Sequence, residues 1–385
     1  MERKVYKMDY EHEIEAATAA FRSLLVEQVE RAKRIENAAP PKVYTADTPV
    51  TVGVIDGDGI GPLIVGAAER VLRFLLDEEL CAGKIALRRI EGLTIGNRLA
   101  TGETLPRGVL QEILGCDVLL KGPTATPKGG TMESANVALR RALDLYANVR
   151  PVRIPEEGVD WAFFRENTEG EYVLGSRGVT VGDRLAMDFK VTSTAGTRRI
   201  ARAAFTYAKE NGKSKVAIVT KANIMKRTDG AFSALCHEVA REFPGIAAED
   251  YYVDIMSANL VNPALRKNFE VFLLPNLYGD ILTDEAAQLQ GGVGTAGSAN
   301  LGDAYAMFEA IHGTAPRMIE EGLGEYANPE SILRATVMML HHIARHATAT
   351  RLEQALDTVS LHADGTRAGA TTATYTEALL AALSH

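Results

Sequence analysis

The chain opens on a helical pattern. From 9 to 37 the apolar positions Ile14, Ala17, Phe21, Leu24 and Leu25 recur at three- and four-residue intervals, with Glu and Arg between them. This spacing predicts one amphipathic helix, whose apolar stripe must be covered by the rest of the chain or by another subunit. The segment AAPPKVYTADTP then breaks any helix, because consecutive prolines remove amide donors and push the preceding residue to extended geometry. It reads as a linker. Beyond it, VTVGVIDGDGIGP is an apolar strand pattern ending in glycines, followed by a helical run over 63–76. Short apolar runs, CDVLLKGP, WAFFREN, KVAIVTK, YYVDIM and FEVFLLPNLYG, alternate with helical stretches such as 197–210 and 230–243, which predicts the α/β class. Within 170–190, EYVLGSRGVTVGDRLAMDFK is rich in glycine and strand formers and predicts a hairpin-like excursion.

Composition narrows the function classes. Among 385 residues, 42 basic and 50 acidic side chains leave a net charge of -8, which argues against a nucleic-acid partner. The length suits two or three domains, and 46% hydrophobic residues suffice for their cores. Cys81, Cys116 and Cys236 are odd in number and widely spaced, so neither a disulfide framework nor a thiolate zinc site is expected. No window is long and apolar enough for a membrane span, and MERKVYKMDYEHEIE mixes both charge signs instead of forming a signal core. A soluble, cytoplasmic chain is expected.

Several residues stand where chemistry would need them. The GDGIG turn, Gly57 to Gly61, is not spaced as G-x-G-x-x-G and runs straight into Pro62, so it reads as a tight strand-to-helix turn that needs small residues. A second cluster, GGVGTAGSANLG, could let backbone approach a ligand. Asp280 and Asp284, four apart in PNLYGDILTDEAA, share one helical face. They are either solvated charges near a helix start or oxygen ligands for a hard divalent ion such as magnesium or manganese. Arg140, Arg150 and Arg165 lie in or beside apolar stretches; they form salt bridges or, if they converge, bind the carboxylates of a highly anionic substrate. Lys221 follows the strand pattern KVAIVT at the carboxyl end, where open α/β sheets place ligand crevices, and Tyr172 lies near Arg165 in sequence. Either transfers protons if its pKa is shifted; otherwise both are surface or packing residues.

Taken in order, GDGIGP, KGPTATP, SANVALRRALDLYANVRP, RENTEGEY, KANIMKRTDG, PNLYGDILTDEAA and IHGTAP with YANP resemble the isocitrate/isopropylmalate dehydrogenases, the metal-dependent β-decarboxylating family, and most of all its NAD-type isocitrate branch. The resemblance covers residues 50 to 385. It implies an α/β fold with a discontinuous large coenzyme-binding domain (48–147 and 291–385), a small domain (148–290) with a clasp near 170–192, and an added N-terminal helix and linker (1–47). It implies a homodimer whose active sites are each completed by the partner subunit, and the added helix offers a route to a tetramer. Residue by residue, it implies that Arg140, Arg150 and Arg165 bind substrate carboxylates. Asp280 and Asp284 would hold the metal with Asp254 from across the interface, while Tyr172 and a Lys221 from the neighbouring chain would transfer protons. The implied chemistry is removal of the hydroxyl proton, hydride transfer to nicotinamide, loss of the β-carboxylate as the metal stabilises the enolate, and protonation of the enol by Tyr172.

Substrate and coenzyme choice rest on fewer residues. Ser134 and Asn136 precede the helix of Arg140; in isocitrate members that they resemble, a serine bonds the additional carboxylate and an asparagine lies near substrate and nicotinamide. Helix capping is the plain alternative for Ser134. Isocitrate is the implied substrate, with homoisocitrate and 3-isopropylmalate as alternatives. A noncatalytic regulatory subunit is a different class, disfavoured because every implied catalytic and metal residue is present. Ser134 also resembles a regulatory phosphorylation position of some bacterial relatives. His312, Gly313, Thr314 and Ala315 in the IHGTAP loop and Asn328 match the adenosine-binding part of the family, and Thr126 and Asn223 are further coenzyme candidates. Arg317 stands where many NAD-dependent members carry aspartate, and could pair with the phosphate of NADP. Against that, ALDTVSLHADG lacks the tyrosine and arginine of the NADP-type pocket. NAD is the expected coenzyme and NADP the alternative.

Overall fold

In a computed structural model of the protein, residues 10–127, 132–175, 177–292, 294–359, 361 and 363–384 are described. Asp9 at the start of the expected helix, Ser176 in the hairpin, Val293 in the glycine cluster, and Ser360 and His362 in the late segment lie outside the described residues.

The strands are β1 (Val50–Ile55), β2 (Ile85–Arg89), β3 (Val118–Lys121), β4 (Ala147–Ile154), β5 (Val159–Glu166) and β6 (Val179–Val181). They continue with β7 (Leu185–Met187), β8 (Lys215–Thr220), β9 (Ala247–Tyr252), β10 (Val271–Leu274), β11 (Gly297–Leu301) and β12 (Ala306–Ala310). One sheet runs in the order β2-β1-β3-β12-β11-β4-β5-β10-β8-β9, and β6 with β7 forms the expected antiparallel hairpin. Each end of the sheet is parallel, whereas β12, β11, β4 and β5 pair antiparallel and join the two halves. KVAIVT and VFLL are buried along nearly their whole length, which is why parallel strands read as unbroken apolar runs.

Period-two alternation gives the sheet two different faces. One face carries a continuous apolar layer, in which Val52, Val54, Leu120, Phe164, Ile218 and Phe308 meet helix residues such as Ile64, Val71, Phe205 and Leu340. The other face is divided. Leu119 and Met307 pack with Val109, Ile113 and Leu139 on one side, and Trp161, Phe163 and Phe272 pack with Met256 and Leu282 on the other. Between these clusters the same alternation turns Lys121, Asn148, Arg150, Arg165, Ser298, Asn300 and Glu309 inward, all buried. Strand register makes them neighbours: Lys121 opposite Glu309, Glu309 opposite Ser298, Asn300 opposite Asn148, and Asn148 opposite Arg165.

Helices start close to where their sequences predict. The run expected over 63–76 spans Gly61–Leu75, with Pro62 in its first turn, where a missing amide costs nothing. The stretch expected from 197 begins at Thr194, because Ser193 Oγ accepts the Gly196 amide as an N-cap. One reading is corrected: YYVDIM is not a single strand, since β9 ends at Tyr252 and a helix, Val253–Leu260, starts at once. A short apolar run fits either periodicity, and Asp254 in the first turn favours the helix. Among the described residues no helix is long and apolar enough to cross a membrane.

The GDGIGP turn is structural, as its spacing predicts. Asp58 Oδ1 accepts the Ile95 amide and Oδ2 the Ala125 amide, each at 2.8 Å, while Ile60 donates to the Thr314 carbonyl at 3.2 Å. Four loops are thereby tied at the carboxyl ends of β1, β2, β3 and β12. Gly59 has φ +63, and a Cβ there would lie 2.0 Å from the Thr314 oxygen. Gly59→Ala is expected to destabilise by at least about 2 kcal/mol, since a left-handed non-glycine alone costs ~1–2 kcal/mol. Urea unfolding checks this, and a loss below about 0.5 kcal/mol would show that the loop simply yields.

Candidate active site

On the divided face a cavity of about 240 Å³ opens between the helix Ala135–Ala142 and the helix Asn276–Leu289. Asn136 and Arg140 come from the first helix, Asp280 and Asp284 from the second, and Arg150 and Glu309 from the polar strip of the sheet. His312 and Gly313 close it from the loop after β12.

Every charge here has a counterpart. Arg150 Nη1 donates to Asp284 Oδ1 at 2.7 Å and to Thr283 Oγ1 at 2.9 Å. Arg165, 1% exposed, pairs with Asp280 and donates from Nε and Nη2 to Asn276 Oδ1 at 3.0 and 2.7 Å. Tyr172 Oη donates to Asp280 Oδ2 at 2.9 Å, and its ring centre lies 5.3 Å from the Arg165 guanidinium carbon. Burial and the neighbouring Arg140 charge lower the Arg165 pKa, against the pull of Asp280. Burial and the Asp280 carboxylate raise that of the Tyr172 phenol, so this hydroxyl keeps its proton at neutral pH.

The cavity has a charged floor as well. Glu309 Oε2 lies 3.1 Å from Lys121 Nζ, which is fully buried, and Oε1 accepts from Asn300 Nδ2 at 2.8 Å and Arg140 Nη2 at 3.3 Å. Burial would push the Glu309 carboxyl up, but Lys121 and Arg140 outweigh it and hold it at about 2. Burial lowers the His312 pKa, which leaves the imidazole neutral near pH 7. Arg140 Nε, Arg150 Nε and His312 Nε2 are buried without a hydrogen-bond partner among the described residues. Buried donors and acceptors are almost always satisfied, so these three atoms around one cavity mark where a polar ligand belongs.

The donor set also fits the groups expected there. Asp280 and Asp284 offer only hard oxygen atoms, and their side chains are 40% and 62% exposed beside the cavity. His312 Nε2 is an unspent polar atom suited to a coenzyme or substrate group. Ser134 occupies the N-cap position of its helix without a capping bond and is not among the residues that line the cavity. Asn136 Oδ1 accepts from Thr124 Oγ1 at 3.0 Å.

Other expected residues lie elsewhere. Lys221 and Asp254 do not line the cavity; they pair with each other at 2.5 Å, and that hydrogen bond lowers the Asp254 pKa. The Lys221 amide is held by Asp229 at 2.8 Å, and Asp229, fully buried, is paired with Lys190 at 2.6 Å. Among the described residues no three His, Cys, Asp or Glu side chains are grouped to hold a metal, so one chain brings two of the three expected carboxylates together. Thr126, Asn223, Thr314, Ala315, Arg317 and Asn328 do not line the cavity either. Arg317 is spent on Glu321 at 2.6 Å with its side chain 87% exposed, and Asn328 Oδ1 accepts the Glu330 amide at 2.9 Å. Sequence reasoning missed Glu309, Lys121 and Asn300. Their signal is a polar residue inside an apolar strand, in AMFEA, VLLK and GSANL, each buried in the sheet.

Comparisons with known proteins identify the family. A profile of the isocitrate/isopropylmalate dehydrogenase family matches residues 51–378. The chain is 37% identical to the mitochondrial isocitrate dehydrogenase [NAD] subunit 2 of Schizosaccharomyces pombe over 84% of its own length and 83% of the relative. It is 38% identical to the isocitrate dehydrogenase [NADP] of Rickettsia prowazekii over 80% of its length, spanning 62% of that relative. The crystal structure of isocitrate dehydrogenase from Methylococcus capsulatus superimposes with a TM-score of 0.77 at 36% identity, covering 87% of this chain and all of that one.

Proposed function

Because the chain belongs to the isocitrate/isopropylmalate dehydrogenase family, we propose that it oxidatively decarboxylates isocitrate with NAD, giving 2-oxoglutarate, carbon dioxide and NADH. The carrying observation is a single cavity around which Arg140, Arg150 and, behind them, Arg165 meet Asp280 and Asp284 with buried donors unspent. Arginine forks bind carboxylates two bonds at a time, so three of them suit a tricarboxylate.

Asp280 and Asp284, with Asp254 of a second chain, would hold a magnesium or manganese ion, which when bound supplies Lewis-acid polarisation of the substrate oxygens. His312 and Gly313 would face the nicotinamide coenzyme, which when bound supplies the acceptor for the hydride on the hydroxyl-bearing carbon. Lys221 of the neighbouring chain would relay the hydroxyl proton, passing one of its own protons onward to solvent as it accepts it. The carbon–carbon bond to the β-carboxylate then breaks, carbon dioxide leaves, and its electron pair remains as the enolate. Tyr172, kept protonated by burial beside Asp280, delivers the proton that completes 2-oxoglutarate.

Lys221 and Asp254 pair away from the cavity of their own chain, which supports a homodimer with shared sites. The proposed location is the cytoplasm. Ser134, free of capping, would bond the additional carboxylate of isocitrate. Ser134→Ala is expected to lower kcat/KM for isocitrate about 10- to 100-fold, the value of one hydrogen bond to a charged group. Unchanged kcat/KM would remove Ser134 from the specificity set.

The test of the whole reading is NADH or NADPH formation by purified protein with manganese, crossing isocitrate, homoisocitrate and 3-isopropylmalate against NAD and NADP. Isocitrate turnover with NAD is the expected result. A better rate with NADP would give Arg317 the phosphate-binding role and reverse the coenzyme choice. No turnover with any pair would favour a noncatalytic subunit.

A further inference from the structure

The helix Glu11–Glu36 lies outside the segment that matches the family, yet one stripe of it is spent on a single piece of that segment. Phe21, Leu24, Glu27 and Arg31 follow one another at three- and four-residue steps and share a face. Phe21 stacks on Phe189 with ring centres 4.7 Å apart. Leu24, 8% exposed, is the one buried residue of this helix, and it packs with Val173 and Leu174, each 5% exposed. Glu27 accepts two bonds from Arg177, at 2.7 and 3.0 Å. Arg31 donates to Glu169 Oε1 and to Thr168 Oγ1, both at 2.9 Å.

All four contacts fall on residues 168–189, and Tyr172 sits between the points held by Arg31 and Leu24. The Arg31 contact carries the most weight. Glu166 and Glu169 are neighbouring carboxylates, 2% and 3% exposed. Burial and the charge of Glu169 raise the Glu166 pKa, and Arg31 acts against that rise. Without the Arg31 guanidinium, the two buried carboxylates in the loop that leads into Tyr172 would keep the charge of Arg199 but lose the direct bond to Glu169, and the loop would shift to relieve their repulsion. Val173 and Leu174, directly after Tyr172, would lose their cover on the Leu24 side.

We infer that the N-terminal helix is a positioning strut for the proton donor, acting through Arg31 on Glu169 and Thr168 and through Leu24 on Val173 and Leu174. Arg31 and Leu24 are positioning residues: they touch neither the cavity nor Asp280. The inference rests on the reading of Tyr172 as the proton donor. A strut of this kind changes kcat more than KM, because Arg140 and Arg150 come from other elements and Arg165, on the strand before the loop, is fixed by Asn276 and Asp280.

A double-mutant cycle in the full-length protein tests it, with Arg31→Met, Tyr172→Phe and their combination assayed on isocitrate, NAD and manganese. Arg31→Met is expected to lower kcat about tenfold or more while KM stays within about twofold, the signature of a misplaced reacting group. In the Tyr172→Phe background the same substitution is expected to do nothing further, since the group it positions is gone. Arg31→Lys keeps the charge but not the fork that spans both acceptors, and is expected to recover part of the rate. Val29→Ser, on the exposed side of the helix, leaves kcat unchanged. Independent losses that multiply in the double variant would overturn the strut, as would a full rate in Arg31→Met. If Tyr172→Phe alone keeps its rate, the proton-donor reading fails and the strut falls with it, a pattern distinct from the other two. Should Arg31→Met not fold, Leu24→Ala carries the same cycle without touching the carboxylate pair.

Discussion

Lys221→Met is expected to lower turnover of isocitrate by about 10²- to 10⁴-fold, the range over which a positioned proton-transfer group contributes, with KM changed only a few-fold. The substitution removes the ammonium that lies 2.5 Å from Asp254 and keeps the aliphatic stem. The turn that carries it should stay in place, because its amide is fixed by the buried Asp229, which Lys190 neutralises. A near-normal rate would remove Lys221 from the mechanism. Complementation then asks which chain's cavity Lys221 serves. Chains carrying Lys221→Met are mixed with chains carrying Tyr172→Phe. If Lys221 acts on the neighbouring chain, each hybrid dimer contains one site with both residues intact, and activity returns. If it acts within its own chain, every site lacks one group and the mixture stays inactive.

The largest stability effect is expected at Glu309. Glu309→Gln removes the carboxylate paired with Lys121, a fully buried ammonium, and one of the contacts of Arg140. Breaking a buried pair from one side leaves an uncompensated charge, and a loss of about 3–5 kcal/mol is expected in urea unfolding at pH 7. Acid reproduces the effect in the unmodified protein. The folded Glu309 carboxyl titrates at about 2 against 4.5 for the free group, so its contribution is present above 4.5 and disappears as pH falls toward 2. The difference corresponds to about 3 kcal/mol of stability. Glu309→Gln should therefore flatten the acid limb of the stability profile between those values. A variant within about 1 kcal/mol of the parent at pH 7 would mean that the neighbouring groups rearrange to neutralise Lys121.

Both residues bear on what could be read from the chain. The place of Lys221 at the carboxyl end of a parallel strand was legible, because it directly follows an apolar strand pattern. Asp280 and Asp284 were legible because a four-residue step on a helix fixes a shared face without reference to anything distant. The glycines of GDGIGP were legible as a turn, since left-handed backbone and close approach to Thr314 leave no room for a Cβ. Glu309 was not legible. Nothing local says that a glutamate inside AMFEA will meet a lysine from VLLK; that contact exists only because β12 lies beside β3 in parallel register.

The same division holds for the molecule as a whole. Local spacing determined the elements, the α/β class, the hairpin and, by resemblance, the family, because helix and strand periodicities are properties of a few neighbouring residues. What only the tertiary structure decided is which charges meet. Sheet order and register put Arg150, Arg165, Glu309 and Lys121 on one buried strip, set Lys221 and Asp254 apart from it, and laid the N-terminal helix against the Tyr172 loop. Pairs such as Arg150 with Asp284 and Arg31 with Glu169 join residues more than a hundred positions apart, and their energies depend on burial and distance, which the order of residues along a chain does not contain.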